Sequence, residues 1–323
     1  MRWFLILFSS FGLPFFLSCE TIHPISLGSI YADSALNLDR NPVIVIHGMG
    51  GAKILEKGTD KVVWGAFTRD SVSFASSKGQ QDLALPVWKG KFLGIEDDTY
   101  PCCPIEQINV ELAGLQFSVD IYRRIMQTLG VGKYHLVLNP NVPVYKRGCS
   151  CFSFFYDWRK DIAENAIRLG KFLEEKAQFV RNQRRWAGLP DKEVKFDIVA
   201  HSMGGLVARY LLRYGTKDVL QEKNPKITWA GSKWIGRLFL VGTPNLGSTD
   251  ALRALILGEE FGFFLPNVEP TLLATFPSMY QLLPSPSLDI FRDDKGRPLS
   301  IDIYSLDFWR KNHLGVFHPD QKE

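Results

Sequence analysis

The chain contains four short apolar runs, and small or polar residues typical of a turn follow each of them. They stand in the stretches NPVIVIHGMGG, which begins at Asn41, GCSCFSFFYDW, VKFDIVA and WIGRLFLVGTP. Continuous Val, Ile, Leu and Phe is typical of strands that are buried on both faces. The pattern therefore predicts four buried strands.

Stretches with a helical period lie between these runs. One apolar stripe consists of Ile162, Ala166, Leu169, Leu173 and Val180. A second helix follows VKFDIVA and ends at Gly215, and its stripe consists of Leu206, Tyr210, Leu211 and Tyr214. Strands that alternate with helices predict an α/β fold, with a mostly parallel sheet and helices on both faces.

Two segments lack a sustained period. Residues 51–146 are rich in Gly, Pro and aromatic residues, and only the part near Val119 to Leu129 has a helical pattern. Residues 258–298 are rich in Pro, Phe and Leu. We interpret the first segment as insertions around the core and the second as a lid-like segment over a site.

Composition and charge exclude several classes of protein. The chain has 323 residues, of which 46% are hydrophobic and 22% charged, so neither a disordered chain nor a multi-span membrane protein fits. The net charge is +4 and no dense Lys/Arg block occurs, so we do not expect nucleic acid as a partner. No cofactor and no metal ion is expected, whereas a membrane surface is compatible with this charge.

The first residues, MRWFLILFSSFGLPFFLSCE, have the features of an export signal over residues 1–19. Arg2 precedes a short apolar run, and Ser18 is followed by Cys19, as in a bacterial lipoprotein signal whose cysteine is lipidated. Phe16 departs from that pattern. An ordinary cleaved signal and an uncleaved anchor are the alternatives, and all three predict export to the periplasm, to a membrane anchor or outside the cell.

Four further cysteines follow, at Cys102, Cys103, Cys149 and Cys151. No histidine stands at ligand spacing near them, so structural disulfides or buried thiols are expected rather than a metal site. Neighbours in sequence bond poorly with each other, and the pairing stays open.

The stretch VAHSMGG places Ser202 in the turn between a predicted strand and a predicted helix. A strand-to-helix elbow exposes a serine hydroxyl to a base, and the residues two before and two after it must be small. Ala200 and Gly204 meet this requirement. Ser202 is the candidate nucleophile, and the alternative is a turn serine without chemistry.

Two backbone amides are candidates for stabilising an oxyanion. Met203 begins the helix that follows Ser202, where N–H groups lack intrahelical partners. Met49 lies in the loop of VIHGMGG, which Gly48 allows to turn tightly. We expect His47 and His201 to be structural neighbours of these turns rather than bases.

Five blocks of the chain together resemble the lecithin:cholesterol acyltransferase family, a branch of the α/β-hydrolases. They are VIHGMGG, FYDWRKD, VAHSMGGLVARYLLRYG, VGTPNLGSTDALRAL and FPSMYQLLP. The resemblance covers about Pro42 to Phe317 in patches and implies an α/β-hydrolase domain over 41–323. It also implies a serine enzyme on lipid acyl esters, which transfers the acyl group to an acceptor alcohol or to water. Within FYDWRKD, we expect Asp157 and Arg159 to form a buried ion pair.

The acid and the histidine of a triad should follow the serine in this order. Only His313 and His318 come after Ser202, with Asp302 and Asp307 as candidate acids. The resemblance places the stretch that contains them in the lid region. Either the sequence is part of a longer enzyme, or these residues close the triad locally. A surface lipoprotein that binds lipid or a partner without catalysis is the alternative function.

Overall fold

The computed structural model describes residues 40–65, 77–87, 94–112, 115–129, 151–220, 222–260 and 267–321. The strands are β1 (Val43–Ile46), β2 (Ala52–Glu56), β3 (Val62–Trp64), β4 (Thr99–Pro104), β5 (Gln107–Leu112), β6 (Leu115–Asp120), β7 (Cys151–Phe154), β8 (Phe196–His201), β9 (Ile235–Val241), β10 (Glu259–Glu260) and β11 (Asn267–Val268). The helices are α1 (Ser77–Leu83), α2 (Arg123–Leu129), α3 (Ile162–Trp186), α4 (Met203–Tyr214), α5 (Thr249–Leu257), α6 (Pro270–Leu273), α7 (Pro277–Gln281) and α8 (Leu306–Lys311).

The main sheet consists of the four predicted strands, in the order β7-β1-β8-β9 and all parallel. Ile46 at the end of β1 pairs with Phe154 of β7 and with Ala200 of β8, which in turn pairs with Leu240 of β9. Their carboxyl ends therefore meet at one edge. Helices separate these strands in sequence, and the predicted α/β class is confirmed.

Helices α3 and α4 pack against this sheet and against each other. The predicted stripe of α3 is buried in full, and Asp161 caps the helix by accepting from the N–H groups of Ala163 and Glu164. In α4 the buried face is rotated from the predicted one: Val207 and Ala208 are completely buried, whereas Tyr210 is half-buried. The Tyr210 hydroxyl instead bonds the backbone of the following loop.

The segment between β1 and β7 forms small structures outside the main sheet. Strands β3, β2 and β4 make an antiparallel sheet, and β5 and β6 make a hairpin. The helix predicted from Val119 begins at Arg123, because Val119 and Asp120 pair with β5. Within the described ranges, no helix has both the length and the apolar character needed to cross a bilayer.

A buried guanidinium joins this inserted segment to the main sheet. Arg159, in the loop after β7, is completely buried and bonds both oxygens of Asp157. It also donates to the carbonyl of Leu83 at 2.8 Å, to Asp97 at 2.7 Å and to the hydroxyl of Thr99 at 2.6 Å. Burial by itself would raise the pKa of the Asp97 carboxyl, but the charge of Arg159 and the Thr99 hydroxyl hold that pKa below its usual value. The expected Asp157–Arg159 pair is thus a clamp between two parts of the fold.

We expect Arg159→Met to lower the free energy of unfolding by about 3–5 kcal/mol, because it leaves the buried Asp157 carboxylate without a cation and Asp97 with Lys160 alone. Urea unfolding of wild type and variant measures this. Arg124→Met is the matched control, since the Arg124 side chain is 86% exposed in its ion pair with Asp120. Equal losses in the two variants would contradict the proposed role of Arg159.

Candidate active site

Ser202 stands in a strained turn at the carboxyl edge of the main sheet. Its φ is 52° and its ψ is −126°, a region that residues with a side chain rarely occupy. Its N–H donates to the carbonyl of Val241 at 2.8 Å, and its carbonyl accepts from Gly205 at 3.0 Å. These bonds connect the turn to the carboxyl end of β9 and to the first turn of α4. They offset the strain and hold Ser202 in place.

Two glycines permit the turns at this edge to approach each other. A methyl group on Gly48 would lie 2.8 Å from the β-carbon of Ser202, and one on Gly204 would overlap the carbonyl oxygen of His47. The turn after β1 is therefore in contact with the turn that carries Ser202. Ala200, the other small residue of the pattern, is completely buried.

The imidazole of His47 is a buried structural group. Its Nε2 accepts from the N–H of Tyr156 at 3.2 Å, so Nδ1 carries the proton and donates to the carbonyl of Gly48 at 2.7 Å. The ring stacks on Tyr156, with centroids 4.3 Å apart. Burial lowers the pKa of His47 to about 4. The ring is therefore neutral at physiological pH.

The carbonyl of Gly48 sets the direction of the next amide. It accepts from His47 Nδ1 and from the N–H of Gly51 at 3.2 Å. Because the peptide is planar and trans, the N–H of Met49 points away from that carbonyl. This N–H donates to no described residue. The arrangement leaves the Met49 amide available to an incoming acceptor.

The amide of Met203 is the other candidate donor, and it belongs to the first residue of α4. The first N–H groups of a helix have no acceptor within the helix, and the helix dipole makes this end attractive to negative charge. In the described part of the chain the Met203 N–H donates to no other residue. Its position follows directly from that of Ser202, its neighbour in sequence.

Tyr122, which the sequence patterns did not single out, bridges the two turns. Its hydroxyl accepts from the N–H of Gly48 at 2.8 Å and lies 2.8 Å from Nδ1 of His201. Which of these two atoms donates depends on the tautomer of His201. Partial burial of the ring lowers the pKa of His201, which favours the neutral imidazole.

The candidate acids and late histidines lie in the last described segment. The side chain of His318 is paired with Asp320, Asp302 bonds the N–H of Tyr304, and Asp307 pairs weakly with Arg310. His313 is exposed and has a φ of 52°. Among the described residues no hydrogen bond joins Ser202 to a histidine. The roles of these two acids and two histidines in a triad stay predictions.

The predicted lid-like segment contributes buried residues at the same edge of the sheet. The N–H of Ser278 donates to the carbonyl of Arg159 after β7, and the N–H of Ser285 donates to the carbonyl of Leu246 after β9. Phe276 and Met279 are buried in the core. Trp64, in the inserted segment, is also buried, and it donates to the carbonyl of Gly50 at 2.8 Å.

Some predicted features lie outside the described residues. They include the export signal with Cys19, as well as Cys149 and residues 261–266. In the part of the chain that is described, no group of three or more His, Cys, Asp or Glu side chains is arranged to hold a metal ion.

The depressed pKa of His47 makes stability depend on pH. The unfolded chain takes up a proton on this ring below about pH 6.5, whereas the folded protein does so only near pH 4. The free energy of unfolding should therefore fall by about 3 kcal/mol as the pH decreases through this window. Urea unfolding should show a weaker decrease for His47→Gln and an unchanged one for His318→Gln. An NMR titration in which His47 protonates near pH 6.5 would refute the expectation.

Comparison with known proteins identifies the family. The model of the lecithin:cholesterol acyltransferase family matches residues 127–307, which is more than half of the 323-residue chain. No curated protein sequence matches. A chain in the crystal structure of the Tle4–Tli4 complex matches over 81% of this chain, with 15% sequence identity and a TM-score of 0.46, and this chain spans 60% of the length of that solved chain. The protein belongs to the lecithin:cholesterol acyltransferase family.

Proposed function

We propose that the protein catalyses acyl transfer from lipid esters, with Ser202 as the nucleophile. Membership of the family supports an acyltransferase or an acyl-ester hydrolase in general. The observation that carries the assignment to Ser202 is its strained position at the start of α4, in contact with the turn after β1. Strained backbone conformations of this kind are concentrated at active sites, where the surrounding structure maintains them.

The reaction would proceed through an acyl-enzyme. The oxygen of Ser202 attacks the ester carbonyl while a base takes its proton, and the carbonyl oxygen becomes negative. The N–H groups of Met203 and Met49 donate to that oxygen. The tetrahedral intermediate collapses and releases the lipid alcohol, which takes a proton from the protonated base. An acceptor alcohol or water then removes the acyl group by the reverse sequence.

The proposed acyl transfer uses a serine, backbone amides and a histidine–acid pair, so it requires no cofactor. The substrate is a lipid ester, which places the reaction at a membrane surface, and segment 258–298 would act as the lid. We retain export through residues 1–19, with Cys19 as the lipidated residue, as part of this proposal. Transfer and hydrolysis differ only in how well the site excludes water.

The edge of β9 is relevant to which residue acts as the base that takes the proton of Ser202. Among the described strands β9 pairs with β8 alone. Phe239, Leu240 and Val241 are 48%, 39% and 48% exposed, although alternate residues of a strand face opposite sides of the sheet. Parallel strands are normally covered on both faces. A further strand beside β9, together with its connecting helices, would cover the edge and these side chains.

Such a strand would also bring its carboxyl end to Val241, whose carbonyl holds the N–H of Ser202. An acid and a histidine carried next to β9 would therefore be placed beside Ser202. Local closure by His313 or His318 with Asp302 or Asp307 is the alternative. Without either, the protein would be a lipid- or partner-binding member of the family.

Labelling with a fluorophosphonate probe tests the nucleophile, because such probes react with activated serines. We expect the wild-type chain to be labelled, Ser202→Ala to lose the label and Ser287→Ala, at an exposed serine, to keep it. The double variant His313→Ala/His318→Ala separates the two sources of the base. Loss of label in that variant means local closure, and retention means a base elsewhere. An unlabelled wild-type chain would contradict the proposal and favour the binding function.

Tyr122→Phe tests whether the bridge between the two turns positions the oxyanion donors. Loss of the hydroxyl leaves the buried N–H of Gly48 without an acceptor, so the turn that carries Met49 loses a hydrogen bond. We expect the second-order rate of fluorophosphonate labelling to fall about tenfold.

Tyr100→Phe is the matched control, because the Tyr100 hydroxyl bonds an exposed partner, Asp60. This variant should react at the wild-type rate. Urea unfolding of both variants shows whether Tyr122→Phe remains folded under the labelling conditions. A wild-type rate for a folded Tyr122→Phe variant would show that the bridge does not position the site.

A further inference from the structure

Cys102 and Cys103 occupy a bulge in β4. In the pairing with β2, Lys53 stands opposite Cys103 and Ile54 stands opposite Pro101, so Cys102 has no opposite residue. In a regular strand two neighbouring side chains point to opposite faces. A bulge inserts one residue and breaks this alternation. The two cysteine side chains are therefore able to lie on the same side of the strand.

The sulfur atoms of the pair lie 2.6 Å apart. A disulfide bond is about 2.05 Å long, so the two sulfurs need to approach by only about 0.5 Å to form one. Both side chains are half-buried, and Pro101 and Pro104 flank them. Proline fixes its own φ and restricts the residue before it to an extended conformation. The backbone around the pair thus has little freedom to separate the two sulfurs.

We propose that Cys102 and Cys103 are a modification site and form a vicinal disulfide. Adjacent α-carbons lie about 3.8 Å apart, which is shorter than most disulfides span. An unfolded chain therefore closes such a ring poorly. The bulge is the feature that brings the sulfurs together in the folded protein.

The oxidant that we propose for the two thiols is a disulfide, which reacts with them by thiol–disulfide exchange. One cysteine loses its proton and attacks a sulfur of the oxidant, which forms a mixed disulfide and releases one thiol that carries this proton. The second cysteine attacks the mixed disulfide, which closes the ring and releases the second thiol with the second proton. Two thiols are oxidised and one disulfide is reduced.

The ring would lie next to the turn that carries Met49. The N–H of Ile105, two residues after Cys103, donates to the carbonyl of Gly51 at 2.8 Å. The other described cysteine, Cys151, is buried in β7 of the main sheet, where Arg40 donates to its sulfur. This inference does not depend on Ser202 being catalytic.

Peptide mapping of the purified full chain tests the inference. The folded protein is incubated with oxidised glutathione, the remaining thiols are alkylated with iodoacetamide, and trypsin releases residues 92–123, which contain Cys102 and Cys103 and no other cysteine. We expect this peptide to carry no alkyl group and to be about 2 Da lighter than its dithiol form, the mass of two hydrogen atoms. Excess dithiothreitol should restore the dithiol.

The same treatment in guanidinium chloride is the control for the role of the fold. In the denatured chain, the fraction of this peptide with a closed ring should be at least about tenfold lower, because the bulge is then lost. Cys151→Ser should leave the result unchanged, and Cys103→Ser should leave Cys102 alkylated or bound to glutathione. Alkylation of both cysteines in the folded protein, a link to Cys149 or Cys151, or equal closure in the denatured chain would overturn the proposal.

Discussion

The site depends on the close contact between two turns, one after β1 and one between β8 and α4. The carbonyl of His47 occupies the space that a side chain at Gly204 would need, and the β-carbon of Ser202 does the same at Gly48. Neither turn can relax while the other is in place. The strained backbone of Ser202 lies at this contact, and the bonds of the Gly48 carbonyl direct the Met49 amide in the facing turn.

Neutral polar groups stabilise this contact from the protein side. His47, Tyr156 and Tyr122 are buried, and each bonds the backbone or a neutral ring. Neutral groups cost less to bury than charges, and they keep their orientation when solvent is excluded. Donors held in this way require little reorganisation when an oxyanion forms. The arrangement therefore suits stabilisation of a negative charge beside Ser202.

The buried charged groups lie apart from these neutral groups and have a structural role. The guanidinium of Arg159 joins the loop after β7 to Asp97, Thr99 and the end of α1, which holds the inserted segment on the sheet. The lid-like segment contacts the same loop through Ser278. The insertion, the lid and the carboxyl edge of the sheet thus share one anchor, whereas β9, at the other edge of the sheet, pairs with β8 alone among the described strands.

The sequence by itself determined the α/β class, the four parallel strands and the elbow pattern around Ser202, because apolar runs, helical period and small residues at fixed spacing are local signals. It did not predict the buried face of α4 or the start of α2, since packing and strand pairing decided them. Tyr122 was not predicted as a site residue because it reaches Gly48 and His201 across 74 and 79 residues of sequence. Only the tertiary structure decided these contacts, the neutral state of His47 and the proximity of Cys102 to Cys103, since each depends on chain segments that meet only after folding.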